Sequence, residues 1–180
     1  MQIIESILVA TTAFALASAA GESSVRVNTT LSGLDINRLG ETSLVSFANG
    51  SIWIGGIKSE VYSEPFLAQS GQGRLVFTSY HSVPTGWQLV YIYPNETTPV
   101  GLTVPHGGAI PQGASSSGFA FDDEGLLKYN GANKFFGCQT AVESKLQTYE
   151  IYWIGDSEPN GVSCIGPLYL EQDDGCSTIG

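Results

Sequence analysis

Three adjacent carboxylates, Asp122, Asp123 and Glu124, are the most concentrated group of candidate catalytic or metal-binding side chains in this 180-residue chain. Clustered acids can act as a general acid and base, or bind a cation. These three lie in GFAFDDEGLLKYNG, between two short apolar runs. Asp at the start and Gly at the end suit a tight turn, whereas a helical calcium loop needs acids at alternate positions over a longer span. The segment therefore predicts a hairpin turn with solvated carboxylates.

The remaining polar residues form no convincing catalytic set. His81 and His106 lie in turn-like segments without a metal-ligand spacing, and no Gly-x-Ser-x-Gly nucleophile elbow is present. Further acids for a glycosidase pair are Glu150, Asp156 and Glu158. A domain of this size rarely holds the long aromatic-lined cleft that a glycosidase needs. The sequence predicts no enzyme, no cofactor and no metal site.

Aromatic side chains are better candidates for a binding surface. Trp and Tyr rings can stack on sugars, but the same rings also fill cores and form cross-strand pairs, which is the favoured role here. The candidate sugar contacts are Trp53, Trp87 and Trp153; the other aromatics considered are Tyr91, Tyr93, Tyr129 and Tyr152. Tyr152 and Trp153 are neighbours on a predicted strand, so they point to opposite faces.

The first twenty residues, MQIIESILVATTAFALASAA, have the pattern of a secretory signal peptide. Residues 7–17 are apolar and too few to span a membrane, and the small residues 17–20 suit a signal peptidase. The C-terminal segment is polar and lacks the hydrophobic tail of a GPI signal. We therefore expect a secreted product without a membrane anchor.

The charge of the chain is strongly acidic. It has 17 Asp and Glu against 7 Lys and Arg, a net charge of −10. Residues 1–20 hold one of the acids and none of the bases, so their removal leaves −9. Nucleic acids and anionic membranes reward basic patches, and both are therefore disfavoured as partners.

Export changes how asparagines and cysteines are interpreted. Three N-glycosylation sequons occur in polar or turn-like contexts, at Asn28, Asn49 and Asn95. Three cysteines match no zinc pattern, and in an oxidising compartment one pair should form a disulfide. Cys138 with Cys164 is preferred, because the strand between them can bring the flanking segments together. Cys176 then stays free or pairs between chains, although a Cys164–Cys176 pair remains an alternative.

Short apolar and aromatic runs separated by turn residues dominate the chain. Asn49-Gly50 between two such runs is a strong hairpin signal. The predicted strands cover residues 43–48, 51–57, 74–80, 87–93, 101–104, 118–121, 126–130, 149–155 and 167–172. This spacing predicts an all-β fold, an antiparallel β-sandwich or barrel built from hairpins with almost no helix. Residues 21–42 are interpreted as a polar lead-in, 43–180 as one domain and 106–118 as a mobile loop.

The order of these segments resembles the fungal secreted cell-wall proteins of the PhiA type. The resemblance rests on TSLVSFANGSIWIGG, SGFAFDDEGLLKYNG followed by KFFGC, and YEIYWIGD followed by GVSCIGPLYLE. It covers most of residues 43–178 and is best from Gly118 onward. It implies a glycosylated, wall-associated all-β protein with no established enzyme activity or cofactor. That family is tied to phialide and conidium development, and some members are IgE-binding mould allergens.

One departure from the family concerns cysteine. Members of the family carry additional cysteines in the N-terminal half, and this chain has none there. The partner of Cys176 is therefore left open. From residues and resemblance together we expect a secreted, non-enzymatic cell-wall glycoprotein with a structural or developmental role. The alternative is a carbohydrate-binding module or secreted effector. The expected partners are wall polysaccharide or wall proteins.

Overall fold

A computed structural model describes residues 23–28, 42–55, 63–79, 81, 85–139 and 148–173. Every regular element in these ranges is a β-strand, and every strand pair is antiparallel. The all-β prediction is therefore confirmed. The strands are β1 (Ser23–Asn28), β2 (Thr42–Leu44), β3 (Ser46–Ala48), β4 (Ser51–Gly55), β5 (Ser63–Pro65), β6 (Leu67–Gly71), β7 (Arg74–Ser79), β8 (Gly86–Tyr91), β9 (Thr98–Pro99), β10 (Gly101–Leu102), β11 (Phe119–Phe121), β12 (Leu127–Tyr129), β13 (Phe135–Gln139), β14 (Thr148–Trp153), β15 (Ser163–Ile165) and β16 (Tyr169–Asp173).

The strands form two large sheets and a separate hairpin. The first sheet has the order β10-β8-β7-β6-β1-β16, with β2 also paired to β1. The second sheet has the order β15-β13-β14-β4-β3-β5, with β9 also paired to β14. Strands β11 and β12 pair only with each other along their length. Neither sheet closes on itself in the part of the chain that is described.

Three segments of chain pass from one sheet to the other at a single buried apolar residue. Val45 separates β2 from β3, Phe66 separates β5 from β6, and Val100 separates β9 from β10. These residues are 1%, 3% and 6% exposed. Strands that switch sheets form the corners of a packed β-structure. Each corner therefore also places a side chain in the core.

One hydrophobic core is shared by both sheets and the hairpin. Phe77 of the first sheet is fully buried, with Phe47 and Phe66 at ring-centroid distances of 4.7 and 4.8 Å. The second sheet and the hairpin meet at Trp153 and Tyr129, whose rings are 5.2 Å apart. The buried members of the cluster are Val45, Ile52, Ile54, Phe66, Ala68, Leu75, Phe77, Val90, Ile92, Val100, Phe119, Leu127, Tyr129, Phe135, Ile151, Trp153, Leu168 and Leu170.

A small cavity within this core is lined only by apolar side chains, among them Val45, Phe66 and Val100. Its volume is about 20 Å³, which is room for little more than one water molecule. An apolar space of this size is too small for a cofactor.

Residues 23–28, interpreted from the sequence as part of a lead-in, form a sheet strand. Strand β1 pairs with β16 over five residues and also with β2 and β6. Residues 23–28 thus belong to the first sheet. The predicted signal peptide and Cys176 lie outside the described residues.

The predicted hairpin at Asn49-Gly50 is confirmed. Asn49 and Gly50 have φ values of 50° and 81° and connect β3 to β4, as a two-residue hairpin turn with both φ positive requires. Residues 106–118 have no strand, as expected, but they are tied to the sheets. Ile92 and Ser115 exchange backbone hydrogen bonds of 2.8 and 3.0 Å, and the N–H of Gly118 donates to Gly73.

Candidate functional site

The acidic cluster is a hairpin turn, as predicted. The carboxylate of Asp122 accepts hydrogen bonds from the N–H groups of Glu124 (3.0 Å) and Leu126 (2.8 Å). Lys128 lies 3.4 Å from its other oxygen. The two backbone donors, that of Leu126 first, and Lys128 lower the pKa of Asp122. All three acids are exposed, and no group of metal-ligating side chains occurs among the described residues.

This turn also covers the edge of the first sheet. The N–H of Gln172 on β16 donates to the carbonyl of Gly125 at 3.0 Å, and Leu126 forms a bridge with Glu171. An exposed strand edge is a site where other chains can pair, so natural proteins cover such edges. The role of the turn is therefore structural.

One pair of catalytic residue types was not predicted. The hydroxyl of Ser79 donates to the carboxylate of Glu64, and these side chains are 1% and 6% exposed. The N–H of His81 donates to the same hydroxyl, and the ring of His106 fills the space over Gly86. Ser79 is too deeply buried for its oxygen to meet a substrate. The pair joins β5 of the second sheet to β7 of the first.

The three candidate tryptophans lie in three different environments. Trp153 is 3% exposed in the core, and its indole N–H donates to the carbonyl of Pro94. Trp53 is half-buried on the second sheet, and its N–H donates to the carbonyl of Ala48. Trp87, on the first sheet, is 41% exposed. Trp153 is therefore a core residue rather than a sugar contact, because it occupies the inward position that the alternation along β14 left open.

An aromatic row runs along one face of β8 and its continuation. Val90 and Ile92 are buried in the core, so the alternate residues Trp87, Leu89, Tyr91 and Tyr93 point to the opposite face, where Leu89 is 7% exposed. We call the three rings of this face, Trp87, Tyr91 and Tyr93, the aromatic row. At about 3.3 Å per residue the row is roughly 20 Å long. Tyr91 and Tyr93 are half-buried, and their ring centroids are 6.1 Å apart in an edge-on arrangement.

Glycines lie beside each ring of the row. The ring of Tyr91 occupies the space where a side chain on Gly101 would be. Gly113 and Gly108 are within 3.8 and 3.6 Å of the rings of Tyr93 and Trp87, measured from the position of an added Cβ. Each ring therefore packs beside backbone that carries no side chain at that position. This arrangement was not predictable from the sequence, because Gly108 and Gly113 belong to a loop.

Burial raises the pKa of Tyr91 above its ordinary value, and the nearby Tyr93 adds to the shift. The phenol of Tyr91 therefore stays neutral at physiological pH. The row presents aromatic surface and hydroxyl groups without charge. Such a surface suits a ligand that is itself uncharged and has alternating apolar and hydroxyl faces, as sugars do.

The sequons lie in different local structures. Asn28 ends β1, opposite Tyr169 in the register with β16. Asn49 is exposed in the two-residue turn between β3 and β4, and Asn95 is exposed in the turn that follows Tyr93.

The predicted disulfide is confirmed. Cys138 on β13 and Cys164 on β15 are direct cross-strand partners and are joined by a bond of 2.00 Å.

The glycosidase candidates do not form a recognisable site. Glu150 is half-buried on β14, in register with Cys138 on one side and Trp53 on the other. Asp156 and Glu158 are exposed in the turns after β14. Glu150 lies on the second sheet and the aromatic row on the first.

Comparisons with protein-family models, with curated proteins and with solved structures gave no match. The resemblance to PhiA-type proteins therefore rests on the sequence segments quoted above. No helix in the described ranges is long and apolar enough to span a membrane.

Proposed function

We propose that this chain is a secreted, non-enzymatic cell-wall protein that is held on wall polysaccharide by its aromatic row. The observation that carries the proposal is the row itself: three aromatic rings on one outward face, with glycines beside each ring. Large apolar side chains left open on a surface commonly mark binding sites. Trp87, at 41% exposure, is the ring that a ligand would cover most.

The chemistry of the row favours carbohydrate over a protein partner. A pyranose ring has one face rich in C–H groups, which packs on an aromatic ring, and its hydroxyls bond to polar groups at the rim. Tyr contributes both an apolar ring and a hydroxyl. The net charge of the secreted chain, −9 without residues 1–20, disfavours acidic polymers and permits neutral or cationic ones. Neutral β-glucan and chitin are therefore the polymer classes to test.

The wall location and a role in conidium or phialide development are supported by the resemblance to PhiA-type proteins. The confirmed disulfide is compatible with an oxidising, extracellular compartment. A binding role also needs no catalytic residues, and Asp122 lies in a hairpin turn while Glu64 joins two strands.

The test is binding of the purified secreted protein to insoluble chitin, β-1,3-glucan and intact walls. We expect saturable binding to one polymer, competed by its oligosaccharides and insensitive to salt, because the row is uncharged. Trp87→Ala should weaken this binding about tenfold or more while leaving the melting temperature unchanged. Trp53→Phe is the matched control and should bind like the wild type, because Trp53 lies on the other sheet.

Two results would contradict the proposal. One is wild-type affinity in the Trp87→Ala protein. The other is retention on intact walls without binding to any pure polymer, which would point to attachment through protein or glycan linkages.

A further inference from the structure

The sequon at Asn95 lies in a turn that begins at the last ring of the aromatic row. The N–H of Glu96 donates to the carbonyl of Tyr93 at 3.2 Å, which closes a four-residue turn with Asn95 exposed within it. Thr97 accepts a hydrogen bond from the N–H of Gly155, and its own N–H donates to Ser157. The carbonyl of Asn95 accepts from Asp156 at 3.0 Å. The position of the sequon relative to Tyr93 is therefore fixed.

The ring of Tyr93 is only partly packed against the protein. Gly113 lies beneath it, at 3.8 Å from an added Cβ, and Tyr91 contacts its edge. Tyr93 is half-buried, so part of the ring remains open to solvent. A sugar on Asn95 would begin two residues after Tyr93, on a turn whose ends are joined by the hydrogen bond from Glu96 to Tyr93.

We propose that Asn95 carries an N-linked glycan whose first sugar packs on the ring of Tyr93. In the transfer, the side-chain amide nitrogen of Asn95 forms a bond to C1 of the first N-acetylglucosamine. The bond from C1 to the diphosphate of a lipid-linked oligosaccharide breaks, the lipid diphosphate leaves, and the nitrogen loses one proton. The glycan then covers apolar ring surface that would otherwise contact water.

The sequon at Asn49 has the same spacing and provides an internal comparison. Phe47 precedes Asn49 by two residues, as Tyr93 precedes Asn95. The ring of Phe47, however, lies 4.7 Å from that of Phe77 and packs against the core. Phe47 is half-buried like Tyr93, but its ring packs beside the fully buried Phe77 rather than beside a loop glycine. Spacing alone would pair both glycans with a ring, whereas the core packing of Phe47 favours the pairing at Asn95 alone.

This inference rests on the proposed function only in requiring that the protein is exported. It also limits how much of the aromatic row is open to wall polysaccharide. A sugar on Tyr93 occupies one end of the aromatic row. Trp87 and Tyr91 are then the rings left for wall polysaccharide. The glycan would thus set the length of polymer that the row can hold.

The test is a double-mutant cycle on protein secreted by a eukaryotic host. Peptide mass spectrometry measures occupancy of Asn95, and endoglycosidase trimming leaves a single N-acetylglucosamine. Melting temperatures are then compared for the wild type, Asn95→Gln, Tyr93→Leu and the double variant. We expect the attached sugar to raise the melting temperature by about 2–4 °C when Tyr93 is present. The gain should vanish in the Tyr93→Leu background.

Two controls keep the cycle specific. Tyr93→Phe retains the ring and should retain the gain. The same cycle with Asn49→Gln and Phe47→Leu should show no coupling, even if Phe47→Leu itself destabilises the core. An unoccupied Asn95, or an equal glycan effect with and without the Tyr93 ring, would overturn the inference. A protein that shows the coupling but binds no polymer would instead overturn the proposed function alone.

Discussion

Asp122 shows how one side chain determines the shape of a turn. Its carboxylate accepts two backbone N–H groups and faces Lys128, and these interactions lower its pKa. A carboxyl group whose pKa is lower in the folded than in the unfolded chain stabilises the fold at pH values above its unfolded-state pKa, which is about 3.9 for Asp. This stabilisation is lost as the pH falls through the folded-state pKa. Protonation weakens the turn because a neutral carboxyl is a poorer acceptor.

We therefore expect Asp122→Ala to lower the melting temperature at pH 7 and pH 5 by the same amount. The difference from the wild type should shrink below about pH 4 as the wild type loses the charged form. Thermal unfolding followed by circular dichroism at several pH values measures this. Asp123→Ala, on the same exposed turn, is the control. A difference that stays constant down to pH 2 would show that the charge of Asp122 does not contribute.

Gly101 is the residue on which the position of Tyr91 depends. A methyl group at Gly101 would occupy the space of the Tyr91 ring. The clash is with the far end of a side chain, which can rotate away at little cost. Gly101→Ala should therefore weaken polysaccharide binding severalfold while changing the melting temperature by less than a few degrees. Gly71→Ala, where an added Cβ meets nothing within 4 Å, is the matched control. Unchanged binding by Gly101→Ala would remove Tyr91 from the proposed site.

At the scale of elements, the buried residues at the corners, such as Phe66, hold the two sheets together. Phe66 stacks on Phe77 with an interplanar angle of 23°, and its N–H donates to the carbonyl of Val45 at 2.8 Å. Removing the ring leaves a cavity at the point where both sheets meet. Phe66→Ala should lower the free energy of unfolding by about 3–5 kcal/mol, measured by urea denaturation.

The exposed Val104 gives the comparison for this prediction. Its side chain is 72% exposed, so Val104→Ala should change stability by no more than about 0.5 kcal/mol. Equal effects of the two substitutions would mean that the corner at Phe66 does not hold the sheets together.

The same corners explain which strands could be predicted. Residues 43–48 are one apolar run in the sequence but two strands in different sheets, because the change of partner at Val45 leaves no mark on the pattern. Strands with plain apolar alternation, such as β8 and β14, were predicted. Strand β5 contains Glu64 and Pro65, and β13 has Gly137 in its middle, so neither resembled a strand. Strand β1 was missed although Val25 and Val27 alternate with polar residues.

The candidate site shows a similar limit. The sequence named Trp87 as one of three candidate sugar contacts, which stays a prediction, and it predicted the turn at Asp122. The sequence could not show that Trp153 points inward. Alternation along a strand assigns residues to two faces but does not show which face is buried. The grouping of Trp87, Tyr91 and Tyr93 over loop glycines depends on contacts between distant segments. Those contacts are set by tertiary packing rather than by local pattern.

For the whole molecule, the disulfide restrains the half of the second sheet that contains β13, β14 and β15. It joins residues separated by 26 positions, and β14 lies within that loop. Closing a loop of this length lowers the entropy of the unfolded chain and stabilises the fold by about 3 kcal/mol. Because Cys138 and Cys164 are cross-strand partners between hydrogen-bonded strands, the sheet should survive without the bond.

We expect Cys138→Ala/Cys164→Ala to keep the β-sheet circular dichroism spectrum of the wild type. Its melting temperature should fall by about 6–12 °C, from the usual shift of 2–4 °C per kcal/mol for a chain of this size. The wild type in reductant should approach the same value. Cys176→Ala is the control, because this cysteine takes no part in the Cys138–Cys164 bond. If Cys176→Ala lowered the melting temperature as much as the double variant, Cys176 would also stabilise the fold. The disulfide would then not be the main restraint on this half of the molecule.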